Sequence, residues 1–143
     1  MVRAPSFDFG SVWLFSECSR AELKSIQQSA QGVSYKAGST VCDEGDVGQT
    51  FYVIVAGKAT VVQNGRKTAE LDAGGYFGEL ALLDRLPRSA TVKASTDLQL
   101  LAIGQRDFNK LLKDSPNLTR KLLVATAARL RNADAKALRT SVH

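Results

Sequence analysis

Histidine is almost absent from this sequence of 143 residues, and its absence argues against several kinds of catalytic site. The single histidine, His143, lies at a terminus that we expect to be frayed. No Ser–His or Cys–His pair is therefore expected in the body of the fold, and no cysteine–histidine spacing predicts a metal site. The phosphate-binding loop G-x-x-x-x-G-K-[ST] is also missing. These absences favour a binding protein over an enzyme, although a mechanism that uses carboxylates alone stays open.

Cysteine is scarce, and long apolar runs are missing. Cys18 and Cys42 are the two cysteines and form no paired motif, so we expect reduced thiols, with a disulfide as the alternative. No apolar stretch approaches the about 20 residues that a membrane helix needs, and residues 1–6 lack the long apolar segment of a signal peptide. The sequence therefore predicts a cytoplasmic protein without a membrane segment.

The positive charge of the chain is unevenly placed. Basic and acidic residues balance up to Ser115, whereas the segment from Pro116 onward carries the whole net charge of +5. Its basic residues, against Asp134 alone, are Arg120, Lys121, Arg129, Arg131, Lys136 and Arg139. No aromatic residue in this segment offers a stacking surface for bases, so nucleic acid is not an expected partner of this chain alone. A solvated helix face is the simpler interpretation, and an acidic partner is the alternative.

The length fits one domain, residues 1–143, that is large enough to bury a core. Residues 33–104 read as short strands between turn residues, and Asn64-Gly65 is the clearest hairpin turn. Short strands separated by turn residues are typical of an antiparallel sandwich or jelly roll. The predicted fold class is mainly β with flanking α, an antiparallel β jelly roll (a double-stranded β-helix) between N-terminal helices and C-terminal hinge helices.

Helices are expected on both sides of these strands. Residues 1–32 hold the N-terminal helices, because Ser19 and Glu22 form a capping box that opens a helix through about Ala30. Helical spacing returns over 105–140. The apolar stripe of the last helix consists of Leu118, Leu122, Leu123, Ala127 and Leu130.

The segment 77–92, F-G-E-L-A-L-L-D-R-L-P-R-S-A-T-V, carries the strongest functional signal. Gly78 tolerates backbone angles closed to other residues and lets a ligand approach the main chain. A helical turn beginning at Glu79 offers free N–H groups to an anion, and Arg88 can supply a bidentate guanidinium to phosphate. The Glu79 carboxylate, by contrast, repels phosphate and accepts hydrogen bonds from sugar hydroxyls. Groups suited to phosphate and to ribose in one segment indicate a nucleotide.

In this segment the chain resembles the cyclic nucleotide-binding domain family, which includes regulatory domains of cAMP-dependent kinase and bacterial catabolite activators. F-G-E-L-A-L, a short spacer and P-R-S-A-T-V are similar to the phosphate-binding cassette of that family. The resemblance covers about residues 14–130. Matches outside the cassette are Gly38, Val41, Glu44-Gly45-Asp46, Phe51-Tyr52-Val53-Ile54, Gly57, Leu101-Ala102-Ile103 and Phe108. It implies a regulatory module that binds a cyclic nucleotide and does not catalyse a reaction.

The resemblance also implies roles for single residues. Arg88 would face the cyclic phosphate and Glu79 the ribose 2′-hydroxyl. Ser89 favours cAMP as the ligand, with cGMP as the alternative. Further ligand-binding residues implied in the cassette are Phe77, Gly78, Leu80, Ala81, Ala90 and Thr91. Val61 and Leu71 are expected to contact the base, and plain core packing is the alternative for both.

A switch is implied as well: phosphate draws the cassette inward, Leu82 shifts, and a hinge near Phe108 lets the C-terminal helices move. The effector domain or partner protein that reads this movement is unknown. Ala133 stands where the catabolite-activator branch carries a threonine that meets the base from the partner subunit. That contact is then absent here, or a neighbour such as Asn132 or Asp134 replaces it. We therefore expect a mainly monomeric chain, with a dimer through the last helix as the alternative.

Three other functions compete with this interpretation. The first is the ligand domain of a cAMP-responsive transcription regulator, whose helix-turn-helix is absent from this chain. The second is a degenerate structural domain, which the presence of Gly78, Glu79 and Arg88 disfavours. The third is an enzyme that hydrolyses cyclic nucleotides, which would normally show metal ligands.

Overall fold

A computed structural model describes the backbone of residues 7–141 and the side chains of residues 7–135. Its strands form two antiparallel sheets with helices at both chain ends, so the predicted mainly-β class with flanking α is confirmed. The strands are β1 (Gln31–Tyr35), β2 (Thr40–Cys42), β3 (Thr50–Ala56), β4 (Ala59–Gln63), β5 (Arg66–Leu71), β6 (Tyr76–Phe77), β7 (Thr91–Ala94) and β8 (Leu98–Gly104). The helices are two 3-10 turns (Phe9–Ser11 and Trp13–Phe15), α1 (Arg20–Ser29), α2 (Glu79–Asp84), α3 (Gln105–Asp114) and α4 (Pro116–Ser141).

The two sheets have the strand orders β1-β8-β3-β6 and β2-β7-β4-β5, and every pairing is antiparallel. Apart from the β4–β5 hairpin, neighbouring strands in the sheets are not consecutive in sequence, as in a jelly roll. Ile54 on β3, Leu100 on β8 and Val92 on β7 belong to one buried cluster between the sheets. A second buried cluster joins the sheet of β3 and β8 to the helices, and it includes Phe108 and Leu82.

The N-terminal helices end where the strands begin, slightly earlier than expected. The capping box is present, since the Ser19 hydroxyl accepts a hydrogen bond from the Glu22 N–H at 3.1 Å and the Ser19 N–H donates to the Glu22 carboxylate at 2.9 Å. The helix ends at Ser29 because Ala30 has extended backbone angles. The first strand therefore starts at Gln31, whereas residue 33 was expected.

The β4–β5 hairpin has the turn that its sequence predicts. Asn64 and Gly65 have φ values of 51° and 76°, which the two central residues of a type I′ turn require. The register of the hairpin shifts, because Val61 lies opposite Ala69 while Val62 lies opposite Lys67. Thr68 is thus an extra residue in β5, a β-bulge that the sequence did not reveal.

The last helix departs from the expected apolar stripe. Leu118 and Leu122 are buried, whereas Leu123 and Leu130 are 66% and 62% exposed. The buried side chains described in α4 lie in its first turns, and residues 126–135 are exposed, although Arg129 reaches back to Glu79. In the part of the chain with a described structure, no helix combines the length and the apolar character needed to cross a membrane.

Candidate functional site

A cavity of about 400 Å³ opens beside the cassette, between β4, β5, β6, α2 and α4. Its lining residues are Cys42, Val61, Gln63, Thr68, Ala69, Leu71, Tyr76, Phe77, Gly78, Glu79, Leu80, Ala81, Arg88, Ser89, Ala90, Val92 and Arg129. The wall is mostly apolar, and its charged side chains are Glu79, Arg88 and Arg129. Such a cavity, with a few converging polar groups, is the usual form of a small-molecule site.

Arg88 is buried and has one hydrogen-bonding group without a partner. Its Nη2 donates to the carbonyl of Thr50 at 2.9 Å, while its Nη1 has no partner among the described residues. The backbone of Arg88 is fixed by the loop before β3: its N–H donates to the Asp46 carbonyl at 2.8 Å, and its carbonyl accepts from Gly45 at 2.9 Å. The guanidinium is therefore held in place with one N–H edge available to an anion.

Glu79 is the second half-satisfied charge in the cavity. Only 3% of the residue is exposed. Its Oε1 accepts a hydrogen bond from Arg129 Nη1 at 2.8 Å, and its Oε2 is buried without a partner. Because a carboxylate oxygen only accepts hydrogen bonds, the free Oε2 suits a hydroxyl group of a ligand.

Arg129 connects α4 to this carboxylate across 50 residues of sequence. Its guanidinium carbon also lies 5.8 Å from the ring centroid of Tyr76. Burial raises the pKa of the Tyr76 phenol, the nearby Glu79 charge raises it further, and Arg129 opposes both. The phenol therefore stays neutral at physiological pH and presents no negative charge to a ligand.

Two glycines leave room for the Arg88 guanidinium. A Cβ on Gly78 would stand 2.6 Å from Arg88 Nη1, and a Cβ on Gly48 would stand 2.9 Å from Arg88 Nε and 2.6 Å from the Cβ of Ala81. Gly78 additionally has φ 94°, which suits glycine. The loop before β3 and the start of α2 are thus close to the arginine on two sides.

The β4–β5 hairpin forms the opposite wall. Val61 and Leu71 pack against the buried cluster between the sheets and also line the cavity, and their contact with a base stays a prediction. Gln63 Nε2 donates to the Ser89 carbonyl at 2.9 Å and ties this wall to the cassette. Cys42 lies in the lining, and burial raises the pKa of its thiol, with Arg88 opposing. Cys18 and Cys42 are free thiols.

The structure brings the predicted site residues together with one exception. Those that line the cavity are Phe77, Gly78, Glu79, Leu80, Ala81, Arg88, Ser89, Ala90, Val61 and Leu71. Thr91 does not line it, and its Oγ1 accepts a hydrogen bond from the Glu44 N–H at 2.9 Å. Thr91 therefore supports the end of the cassette, because its hydroxyl is turned to the loop after β2.

Sequence reasoning missed several residues of the site. Arg129 stood out only as one basic residue of the C-terminal segment, and nothing in its neighbourhood points to Glu79. Gly48 and Tyr76 belong to no motif that the sequence analysis used. Gln63 is an exposed polar residue at the end of β4 beside the hairpin turn, so its place in the sequence carried no signal.

The fold and the cavity define a ligand-binding module on a jelly roll, with a guanidinium and a carboxylate each offering one free buried atom. The family model described as the cyclic nucleotide-binding domain matches residues 32–115. The chain belongs to the cyclic nucleotide-binding domain family.

Three similar proteins show the range of this family. Over 108 residues the chain is 41% identical to the cAMP-dependent protein kinase regulatory subunit of Schizosaccharomyces pombe, covering 75% of this chain and 26% of that protein. The catabolite activator protein of Thermus thermophilus is similar with a TM-score of 0.83 and 32% identity, over 90% of this chain and 62% of that chain. A solved structure of PKAR CBD2 bound to Sp-2Cl-cAMPS gives a TM-score of 0.79 and 25% identity, over 90% and 86% of the two chains. The chain spans about a quarter of the length of the kinase regulatory subunits it matches.

Proposed function

We propose that this chain is a regulatory module that binds a 3′,5′-cyclic nucleotide, cAMP in preference to cGMP, and passes binding on to its C-terminal helices. The observation that carries the proposal is the pair of buried atoms without partners, Arg88 Nη1 and Glu79 Oε2, in the lining of one cavity. A cyclic phosphate would satisfy the guanidinium, and a ribose 2′-hydroxyl would donate to the carboxylate.

The preference for cAMP is supported by Ser89 and by the relatives. Ser89 lines the cavity next to Arg88, at the position where the resemblance links serine to cAMP. The S. pombe relative is named as a cAMP-dependent regulatory subunit, and the PKAR CBD2 structure holds a cAMP analogue. A protein kinase catalytic subunit is accordingly the first partner to test.

The coupling to the helices is supported by contacts on both sides of α2. Glu79 at the start of α2 is paired with Arg129 of α4. Leu82, on the same short helix, is buried in the cluster that contains Phe108 of α3. A ligand that alters the position of α2 would therefore change contacts to α3 and α4 together, with an energy limited to its differential affinity for the two arrangements.

A second candidate is the ligand domain of a transcription regulator. The similarity to the Thermus thermophilus catabolite activator protein favours it, because the match covers 90% of this chain and 62% of that one. A pull-down with a purified kinase catalytic subunit, with and without cAMP, separates the two. Capture that cAMP releases favours the kinase type, and no capture in either state favours the transcription regulator.

Calorimetric titration with cAMP, cGMP and 5′-AMP tests the ligand. We expect cAMP to bind most tightly and 5′-AMP to bind poorly, since an open phosphate brings extra charge and bulk into the closed site around Arg88. Arg88→Ala should weaken cAMP by at least about 30-fold, because removing one partner of a buried charge pair costs about 2–5 kcal/mol. Arg85→Ala, at an exposed arginine outside the cavity lining, is the matched control. Binding of 5′-AMP as tight as cAMP, or equal effects of the two variants, would refute the proposal.

A further inference from the structure

We propose that Gln63, with Thr68 beside it, is the specificity-determining residue of this cavity and recognises the edge of a purine base that carries an amino group. The inference rests on the proposed function, because it assumes a cyclic nucleotide in the cavity. Neither residue belongs to the cassette, and both lie on the β4–β5 hairpin that forms the opposite wall.

The direction of a bound nucleotide follows from the two free atoms. Arg88 Nη1 and Glu79 Oε2 lie on the cassette side of the cavity and would take the phosphate and the sugar. The base then extends toward the lining that remains, the apolar Val61, Ala69 and Leu71 of the hairpin. The hairpin side chains in this lining that carry hydrogen-bonding groups are Gln63 and Thr68.

Gln63 is the last residue of β4 and is exposed. Ala59 and Val61 precede it on the same face of β4, and both pack in the buried cluster between the sheets. Gln63 Nε2 donates one N–H to the Ser89 carbonyl at 2.9 Å, which fixes the plane of the amide beside the cassette. Its second N–H and its Oε1 acceptor are left for a ligand.

Thr68 reaches the cavity because of the bulge in β5. The register shift between Val61 and Val62 makes Thr68 the extra residue of the strand, and such bulges redirect a side chain toward a site. Its hydroxyl donates to the Val61 carbonyl at 3.4 Å, so its lone pairs remain as acceptors. An acceptor is therefore available next to the Gln63 amide.

The free groups match adenine better than guanine. On the edge that includes N7, adenine presents an amino donor beside a nitrogen acceptor, and a glutamine amide pairs with both. Guanine presents two acceptors on the same edge, one of which would meet the Oε1 acceptor of Gln63. The hairpin thus supplies a reason for adenine preference that is independent of Ser89.

The test compares cAMP with the 3′,5′-cyclic phosphate of purine riboside, which lacks the amino group. Gln63→Met keeps the size of the side chain and removes its hydrogen bonds, and Thr68→Val does the same for the hydroxyl. We expect Gln63→Met to weaken cAMP by about five- to tenfold, because both hydrogen bonds to the base are lost, and the amino-free ligand by about two- to threefold, because only the bond to N7 is lost. Thr68→Val should weaken cAMP by about two- to threefold. Gln99→Met, at an exposed glutamine of β8 outside the lining, should change neither ligand.

Thermal unfolding of each variant shows that it is folded before it is titrated. Equal weakening of both ligands by Gln63→Met would mean a general loosening of the wall and would overturn the inference, as would no effect on cAMP. Failure of the unmodified chain to bind either ligand would instead refute the proposed function on which the inference rests. A loss that is clearly larger for cAMP than for the amino-free ligand supports the inference.

Discussion

At the scale of single residues, Arg88 and Glu79 are buried charges that their own chain satisfies only in part. Arg88 is 8% exposed and Glu79 is 3% exposed, and each retains one polar atom without a partner. Leaving such an atom unpaired costs about 1–3 kcal/mol, and more when the group is charged. A bound ligand that supplies an anion and a hydroxyl would remove both costs together, and this explains why the two groups are half paired and why they share one cavity.

The ribose role of Glu79 can be tested with a ligand that lacks the hydroxyl. Glu79→Ala should weaken cAMP by about tenfold or more, because one charged hydrogen bond is lost, yet it should weaken 2′-deoxy-cAMP much less. The double cycle of variant and ligand isolates that pair. If both ligands lose equal affinity in the variant, Glu79 acts only through Arg129 and the ribose role is wrong.

Gly48 gives a prediction in which no charged residue is substituted. A Cβ at this position would meet Ala81 and the Arg88 guanidinium, so Gly48→Ala should displace the guanidinium and weaken cAMP by about tenfold. Gly104→Ala is the matched control, because a Cβ there has no atom within contact distance. Wild-type affinity in Gly48→Ala would contradict this prediction, because it would mean that the loop before β3 moves to accommodate the methyl group without displacing Arg88.

At the scale of elements, structure that depends on neighbouring residues could be predicted from the sequence, whereas contacts between distant residues could not. Ser19 and Glu22 lie three residues apart, and Asn64-Gly65 is a dipeptide. The helix start and the hairpin turn are therefore determined by residues close together in sequence. The Glu79–Arg129 ion pair joins residues 50 apart, and only the packing of α4 on the domain brings them together. The bulge at Thr68 depends on the register of two strands, which an alternating pattern does not specify.

The coupling of α4 to the site can be followed with the single tryptophan. The Trp13 ring lies under Lys121 of α4, with Nζ at 4.1 Å from the ring centroid. We expect cAMP to change Trp13 fluorescence, and Arg129→Gln to reduce that change at saturation by more than half, because α4 loses its link to Glu79. Arg131→Gln, on the exposed side of α4, is the control. A full fluorescence change in Arg129→Gln at saturating cAMP would rule out this route.

At the scale of the whole molecule, the oligomeric state depends on two opposing features of α4. Leu123, Val124 and Leu130 are exposed in the described chain and form an apolar surface that a second copy could cover. The basic residues of the C-terminal segment remain an argument against close pairing of two copies. We therefore predict a monomer at low ionic strength and self-association at high salt.

Light scattering across a salt series checks this prediction, with Leu123→Gln and Leu130→Gln together as the variant that removes the apolar surface. Self-association should disappear in the variant at every salt concentration. A dimer that is equally stable at low and high salt, or one that the variant leaves unchanged, would contradict the balance described here and favour the arrangement of a dimer through the last helix.

The central claim is that one cavity binds a cyclic nucleotide and transmits binding to the C-terminal helices. Hydrogen exchange of the whole chain, with and without saturating cAMP, tests both parts in one measurement. We predict slower exchange in the cassette, 77–92, where ligand satisfies Arg88 and Glu79, and an altered rate in residues 108–137, where α3 and α4 respond. Unchanged exchange in the cassette would contradict the site, and a cassette that is protected while residues 108–137 stay unchanged would contradict the coupling.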